Sequence, residues 1–201
     1  ISSISKFEHF RTNEGDTPRI VVSAFGSSWA SPKRGSIPVA WSVDSLLFER
    51  FPALMSWYAE TATNNDSFIG GVAGAGYVYL GAMNEKMLER YTRRVGRLFR
   101  TYGPRVADTY GQANFSVIDL YSEFAASDNG MAPEAYVTQP LWAHGSYSEN
   151  AWKCPDSLNI RSTRTDTPII CTSNDPNLFY RNRGLDPNAK NNGEILADRI
   201  R

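Results

Sequence analysis

The feature that most limits what this chain can fold into is an alternation: short runs of β-branched and aromatic residues are separated by stretches of helical periodicity. Strand patterns fall at Lys6–Thr12, Ser36–Val43, Ser67–Ala73, Asn114–Tyr121, Glu134–Gln139 and Thr167–Thr172, and each has the length and composition of a buried strand. The clearest helix runs from about Met83 to Tyr102. There Met87, Leu88, Tyr91, Val95, Leu98, Phe99 and Tyr102 recur on one face, and Glu85, Glu89, Arg93, Arg94 and Arg97 on the other. A helical region also follows Trp41 with Asp44 as its N-cap, and Pro52 starts a further helix, Pro52–Thr61, that buries Trp57 and Tyr58 against the sheet. Strands alternating with helices pair in parallel through crossover connections. The expected class is therefore α/β, a parallel sheet of βα units. Six strands alone do not separate a barrel from a doubly wound sheet.

Composition narrows the partners. The chain has 201 residues, 41% of them hydrophobic, which suits one domain spanning 1–201 with a polar, turn-rich tail from about Asp175. With 21 basic and 21 acidic side chains, no field of one sign would attract nucleic acid or an anionic membrane. No stretch reaches the roughly 18 uncharged apolar residues of a membrane span, and no signal peptide stands at Ile1. No zinc, haem or phosphate-loop pattern occurs, so no cofactor is expected, although Asp and Asn oxygens leave a hard-cation site open. Cys154 and Cys171 are either two buried thiols or one disulfide. A polar loop that precedes a strand gains roughly 3 kcal/mol from such a clip, which makes the disulfide the expectation. With the sequons Asn65-Asp66-Ser67 and Asn114-Phe115-Ser116, it tilts the reading toward secretion.

The stretch Asp66-Ser67-Phe68-Ile69-Gly70-Gly71-Val72-Ala73-Gly74-Ala75-Gly76-Tyr77-Val78-Tyr79 resembles the signature of the GxGYxYP family of putative glycoside hydrolases, in which a strand leads into a glycine turn and two tyrosines. Leu80 stands where that family has Pro. Gly35–Trp41 resembles the family's strand ending in Trp, Pro52–Thr63 the helix before the signature, and Thr167–Ile170 a late strand. The likeness runs from about Lys6 to Leu178. It implies the family's C-terminal domain, a TIM-like βα barrel, complete or incomplete, that acts on carbohydrate. Members carry an N-terminal domain as well, so that domain and other protein chains join carbohydrate among the expected partners.

The resemblance also points to site residues. Asn13-Glu14-Gly15-Asp16-Thr17 stands where the family has a Ser-Asp-Gly-Asp-Asn type of turn, and glycoside hydrolysis needs two carboxyl groups, about 5–5.5 Å apart for retention or 6.5–9.5 Å for inversion. Residues just past a barrel strand face the cleft, which makes Glu14 and Asp16 the first pair to test. The same turn would also serve simply to cap a helix beginning at Pro18. Asp119, at the end of a strand over Phe115–Leu120, is the other candidate carboxyl, whereas Asp66 precedes its strand and fixes a turn on the opposite rim. Gly74 and Gly76 let the backbone turn or approach a ligand, while Tyr77 and Tyr79 offer flat faces for sugar rings or serve as core. Trp41 either lines the same cleft or packs inside. Trp29, Trp142 and Trp152 fall in loops, His9 and His144 lack a nucleophile motif, and the arginines of the long helix form a solvated face. The function expected is a glycoside hydrolase with paired carboxylates; the alternative is a non-catalytic, glycan-binding or assembly protein on a degenerate hydrolase barrel.

Overall fold

A computed structural model describes residues 10–11, 18–110, 115–139 and 160–171. The strands are β1 (Phe10–Arg11), β2 (Val39–Val43), β3 (Asp66–Gly70), β4 (Val106–Tyr110), β5 (Ala135–Gln139), β6 (Ile160–Arg161) and β7 (Pro168–Cys171). They form one sheet in the order β1-β2-β3-β4-β5-β7-β6. Every pair is parallel except β6 with β7. The fold is thus α/β with a parallel sheet, and its parallel strands, β1 to β5 and then β7, follow one another in chain order. That sequential winding is the one a βα barrel uses, rather than the switch point of a doubly wound sheet. Among the described residues no pairing joins the edge strands β1 and β6.

The helices are α1 (Pro18–Ile20), α2 (Gly26–Trp29), α3 (Leu46–Arg50), α4 (Pro52–Thr61), α5 (Glu85–Tyr102) and α6 (Phe115–Ala126), with a wider π-helical segment, Val21–Phe25, joining the first two. They cover one face of the sheet. Trp41 and Val43 of β2 pack with Phe25, Trp29, Leu47, Met55 and Tyr58, while Ala107 of β4 and Tyr136 of β5 pack with Leu88, Val95, Phe99, Ile118 and Tyr121. On β3, Phe68 belongs to the first cluster. Two residues on, a Cβ at Gly70 would stand 2.4 Å from Phe99 Cζ of α5. Residues two apart on a strand share a face, so both cores lie on the same side. The opposite face, bearing Ala40, Ser42, Ile69, Gly71, Val106, Asp108 and Val137, has no helix among those described.

Helix α5 follows its sequence signals. Asn84 caps it by accepting from the Met87 N–H at 2.9 Å, and Gly103, at φ 89°, ends it. Its buried side is Leu88, Thr92, Val95, Gly96, Leu98 and Phe99, which shifts the expected stripe: Met87 and Tyr102 are exposed. The arginine face is solvated and paired, Arg93 with Glu89 and Asp128, Arg94 with Glu49. Helix α4 has the expected bounds, but it buries Tyr58 and leaves Trp57 largely exposed. Trp29, expected in a loop, ends α2 inside the core, where its indole N–H donates to Thr61 Oγ1 at 2.9 Å.

Two strand readings need correction. Asn114–Tyr121 is not a strand: residues from Phe115 onward form α6. Its buried positions Ile118, Tyr121, Ser122 and Ala125 have helical spacing, which a short apolar run conceals. The strand between α5 and α6 is Val106–Tyr110, a run with small and polar residues that carries little strand signal.

Candidate functional site

Parallel strands bring their C-terminal ends to one edge, and on the helix-free face that edge collects polar groups. The Ser42 hydroxyl of β2 donates to Asp108 Oδ2 of β4 at 3.4 Å, reaching across β3. It passes because the intervening residue is Gly71, where a Cβ would stand 2.8 Å from Ser42 Oγ and 2.9 Å from the Val43 carbonyl carbon. Asp108 and Ser42 are both buried. Asp44 follows directly on β2, its Oδ1 accepting the Leu46 N–H of α3 at 2.9 Å. It is therefore the helix cap expected, and also a strand-end carboxylate.

The glycine turn closes this edge. Gly71 N–H donates to Val43 O at 2.6 Å, Gly74 N–H to Gly71 O at 3.1 Å, and Ser45 N–H to Gly74 O at 3.1 Å. Positive φ values recur at Ala73 (60°), Gly74 (99°) and Gly76 (118°). Two tyrosines from the helices hold the turn. Tyr121 donates to Ala73 O at 2.7 Å, and the Tyr91 hydroxyl accepts the Ala75 N–H at 3.1 Å while facing the carbonyls of Ala73 and Gly76 at 3.3 and 3.4 Å. Burial pushes the Tyr91 hydroxyl well above its ordinary value; the Asp44 charge adds to the rise and the Ala75 N–H partly opposes it. Tyr91 therefore stays a proton donor at any physiological pH.

Past this anchored turn the chain emerges with Tyr77 51% exposed. Its ring meets that of Tyr79 edge on, with centroids 6.1 Å apart and planes at 86°. Burial, the Tyr77 hydroxyl's charge and a hydrogen bond between the two raise the Tyr79 hydroxyl. A Cβ built on Gly76 meets a single atom within 4 Å among the described residues, Asp44 Oδ2 at 3.8 Å. A carboxylate oxygen borders the backbone at Gly76, and an exposed aromatic side chain follows in the next residue.

Gly74, Gly76, Tyr77 and Tyr79 lie together at this edge as expected. Gly74 and Gly76 nevertheless differ: the first is packed inside, the second opens outward. Trp41 corrects the cleft reading. It is 4% exposed, its ring packs on Phe25 at 4.7 Å and Trp29 at 4.9 Å on the helix face, and its indole N–H donates to Asp66 at 2.7 Å. Asp66 stands at the opposite rim and fixes a turn, as expected, holding Thr63 and Arg34 besides Trp41. The Asn65 amide of the first sequon donates to Gly35 O at 2.6 Å. Glu14, Asp16, Cys154 and Asn114 lie outside the described residues, as do His9, His144, Trp142 and Trp152.

Asp119 is also corrected in its setting, since it lies in the middle of α6 rather than at a strand end. Its carboxylate accepts from Thr163 Oγ1 at 2.8 Å, the Arg164 N–H at 3.2 Å and the Thr165 N–H at 3.4 Å. Burial alone would raise its pKa, but these donors, with Ser162, hold it below the usual range. It thereby ties the segment before β7 to the helix layer. Asp119→Ala should lower stability by about 1–3 kcal/mol, since it strands those donors, with the change read as a fall in the urea midpoint. Asp44, just past the end of β2, and Asp108, in the middle of β4, are carboxylates that sequence reasoning did not single out as site residues. Among the described residues no group of three or more His, Cys, Asp or Glu side chains could hold a metal ion, and no helix is long and apolar enough to cross a membrane.

A family model described as the GxGYxYP putative glycoside hydrolase C-terminal domain matches residues 9–171. A crystal structure of a putative hydrolase from Bacteroides thetaiotaomicron is similar in fold, with a TM-score of 0.61 at 17% identity over 71% of this chain. The present chain spans 28% of that protein's length. No curated protein matches in sequence.

Proposed function

Since the chain belongs to the GxGYxYP putative glycoside hydrolase C-terminal domain family, we propose that it is a carbohydrate-active domain of hydrolase type whose cleft lies at the C-terminal ends of its strands. The observation that carries this reading is the anchored glycine turn, from which Tyr77 emerges exposed one residue after Gly76, the position that borders the Asp44 carboxylate. Sugar rings present C–H faces that stack on aromatic rings and hydroxyls that donate to carboxylates. Glu14 and Asp16 belong to the connection from β1 to α1. β1 ends at the sheet edge where β2 and β3 also end, because the three strands run parallel. In this reading Asp16, with Glu14 next to it but one, supplies a carboxyl group that protonates the leaving oxygen or activates water.

The test is turnover and affinity on a panel of p-nitrophenyl glycosides and oligosaccharides. Tyr77→Ala should weaken binding by about 1–2 kcal/mol, the scale of a lost aromatic face, without moving the melting temperature, because the ring is half exposed. Asp16→Asn should keep the fold and cut turnover by several orders of magnitude. Binding without turnover in the wild type would turn the reading to a glycan-binding module. Neither binding nor turnover would end it.

A further inference from the structure

We propose that the solvent face of α5 is a binding surface for an acidic polysaccharide, a glycan that carries carboxylate or sulfate groups along its length. The inference rests on the carbohydrate reading above and deepens it by naming the charge of the ligand. At about 100° per residue, Lys86, Arg90, Arg93, Arg97 and Arg100 all fall within about 80° of arc on this helix. They make one straight row, about 21 Å long at 1.5 Å of rise per residue.

The row divides into one neutralised member and four free ones. Arg93 pairs with both Glu89 and Asp128, so the acidic groups beside the row are engaged by that one side chain. Glu49 is likewise taken by Arg94 at the row's edge, and Glu85 lies about 100° round the helix from Lys86. Lys86, Arg90, Arg97 and Arg100 are exposed, and none of them has an ion pair among the described residues. The net charge of zero belongs to the whole chain; on this face the cations stand without counter-charges. Like charges three or four positions apart, as Lys86 with Arg90 and Arg97 with Arg100, destabilise a helix slightly. An anion laid along the row relieves that repulsion, and the arginine forks take carboxylates and other oxyanions through paired hydrogen bonds.

Position ties the row to the cleft. Tyr91 of the same helix accepts the Ala75 N–H at 3.1 Å, so the N-terminal half of α5 stands against the glycine turn. Lys86 and Arg90 begin the row at that end, and the other cations lead away from it. Other polyanions fit this face less well. A membrane-surface helix sinks its apolar side into the lipid, but α5 commits Leu88, Val95, Leu98 and Phe99 to the core. Single-stranded nucleic acid is held by cations together with aromatic rings on which bases stack, and the arc of the row contains no aromatic residue.

The test is calorimetry on the intact chain at low ionic strength, with polygalacturonate and heparin as acidic probes and the panel above as neutral ones. The row is altered by Arg90→Gln with Arg97→Gln. Arg161→Gln with Arg164→Gln makes the same change of net charge outside the row, also at exposed positions. The expected result is that an acidic polymer binds, that added salt weakens it, and that the Arg90 and Arg97 variant loses at least tenfold in affinity while the other pair loses far less. Melting temperatures should stay within a few degrees of wild type in both. Unchanged affinity in the row variant, or equal losses in the two, would mean attraction without this row and overturns the proposal. Binding or turnover of neutral glycans with no binding of either acidic polymer overturns it too, and leaves the carbohydrate reading standing. If a single-stranded oligonucleotide or anionic vesicles bind through the row and neither acidic glycan does, the polysaccharide assignment is overturned. If no glycan of either kind binds, both readings fall.

Discussion

Gly74→Val should yield no cooperatively folded protein, whereas Gly76→Val should fold and lose its ligand. The two glycines are two positions apart and both sit at positive φ, 99° and 118°. A side chain at either strains the backbone by about 1–3 kcal/mol. The difference lies in what surrounds them. A Cβ at Gly74 would stand 2.5 Å from the Tyr121 hydroxyl and 2.6 Å from Val95 Cγ1, both at the centre of the larger core. Tyr121 cannot retreat without releasing Ala73 O, to which it donates at 2.7 Å, and Val95 is held in the middle of α5. Overpacking a rigid site costs about another 1–3 kcal/mol for small insertions, and the branched methyls of Val add to it. Against a typical total of about 5–15 kcal/mol, the sum removes most or all of the stability. At Gly76, leaving aside its chain neighbours, only Asp44 Oδ2 is near among the described residues, so the strain stands alone and the open space is filled. Thermal melts by circular dichroism, with ligand affinity beside them, decide the matter. A Gly74→Val protein that melts like wild type would mean the turn is not seated on the core as described.

The second large effect is expected at Asp66. Its side chain is fully buried at the start of β3, yet it accepts from Arg34 at 2.5 Å, Trp41 at 2.7 Å, the Thr63 N–H at 2.8 Å and the Thr63 hydroxyl at 2.7 Å. Asp66→Ala leaves a mostly buried guanidinium and an indole N–H without their acceptor. Breaking a buried pair by removing one partner costs about 3–5 kcal/mol. The position binds α2, β2 and β3 together, since Arg34 also donates to Trp29 O at 2.8 Å and Thr61 O at 2.9 Å and lies 4.3 Å over the Trp29 ring. Burial by itself would raise the Asp66 pKa, but the donors from Thr63, Trp41 and Arg34 outweigh it and hold the carboxyl below its ordinary value. A depressed folded pKa contributes stability that is fully present above the unfolded value of about 3.9 and is lost as pH falls through the folded one. Wild-type stability should therefore be level near neutrality and drop below about pH 4. The Asp66→Ala protein should show a visibly shallower drop. An equal acid slope in both proteins would mean that Asp66 is not the group being titrated.

The parts of the fold that were readable in advance are those where one pattern has one meaning. The α5 signals, Asn84 ahead and Gly103 behind an amphipathic run, are of this kind, as is Pro52 opening α4. Where one pattern serves two structures, reading failed. Phe115, Val117, Ile118 and Tyr121 are as good a strand as a helix until the window reaches Ala125. Val106–Tyr110 lies between helices with a polar Asp108 on its helix-free face, so it shows no apolar alternation. Site residues were limited by direction more than by composition. Trp41 closes a strand as a cleft residue would, but strand parity turns it toward the helices, and parity is fixed only once Val43 and Phe68 are seen beside it. Asp44 was legible as a cap because local spacing reveals a cap. That it also borders the glycine turn depends on Gly76 being folded back from β3, which no local pattern encodes.

The sequential strand order has a consequence for how the molecule is made. Each parallel strand from β2 to β5 adds to the strand that precedes it, and β7 adds to β5, so each of these strands on emerging from the ribosome meets a template that has already been synthesised. From β2 onward the next parallel strand to be made is the one that fills the open edge, whereas the central strand of a doubly wound sheet waits until one half of the sheet is complete. Growth of this kind is vectorial: the growing edge at any moment is the newest strand, and it is covered as soon as the next βα unit arrives. The antiparallel β6, which joins the sheet outside β7, departs from this order by turning back on the last parallel strand. It takes up that strand's exposed hydrogen-bonding edge, which would otherwise be open to pairing with another chain.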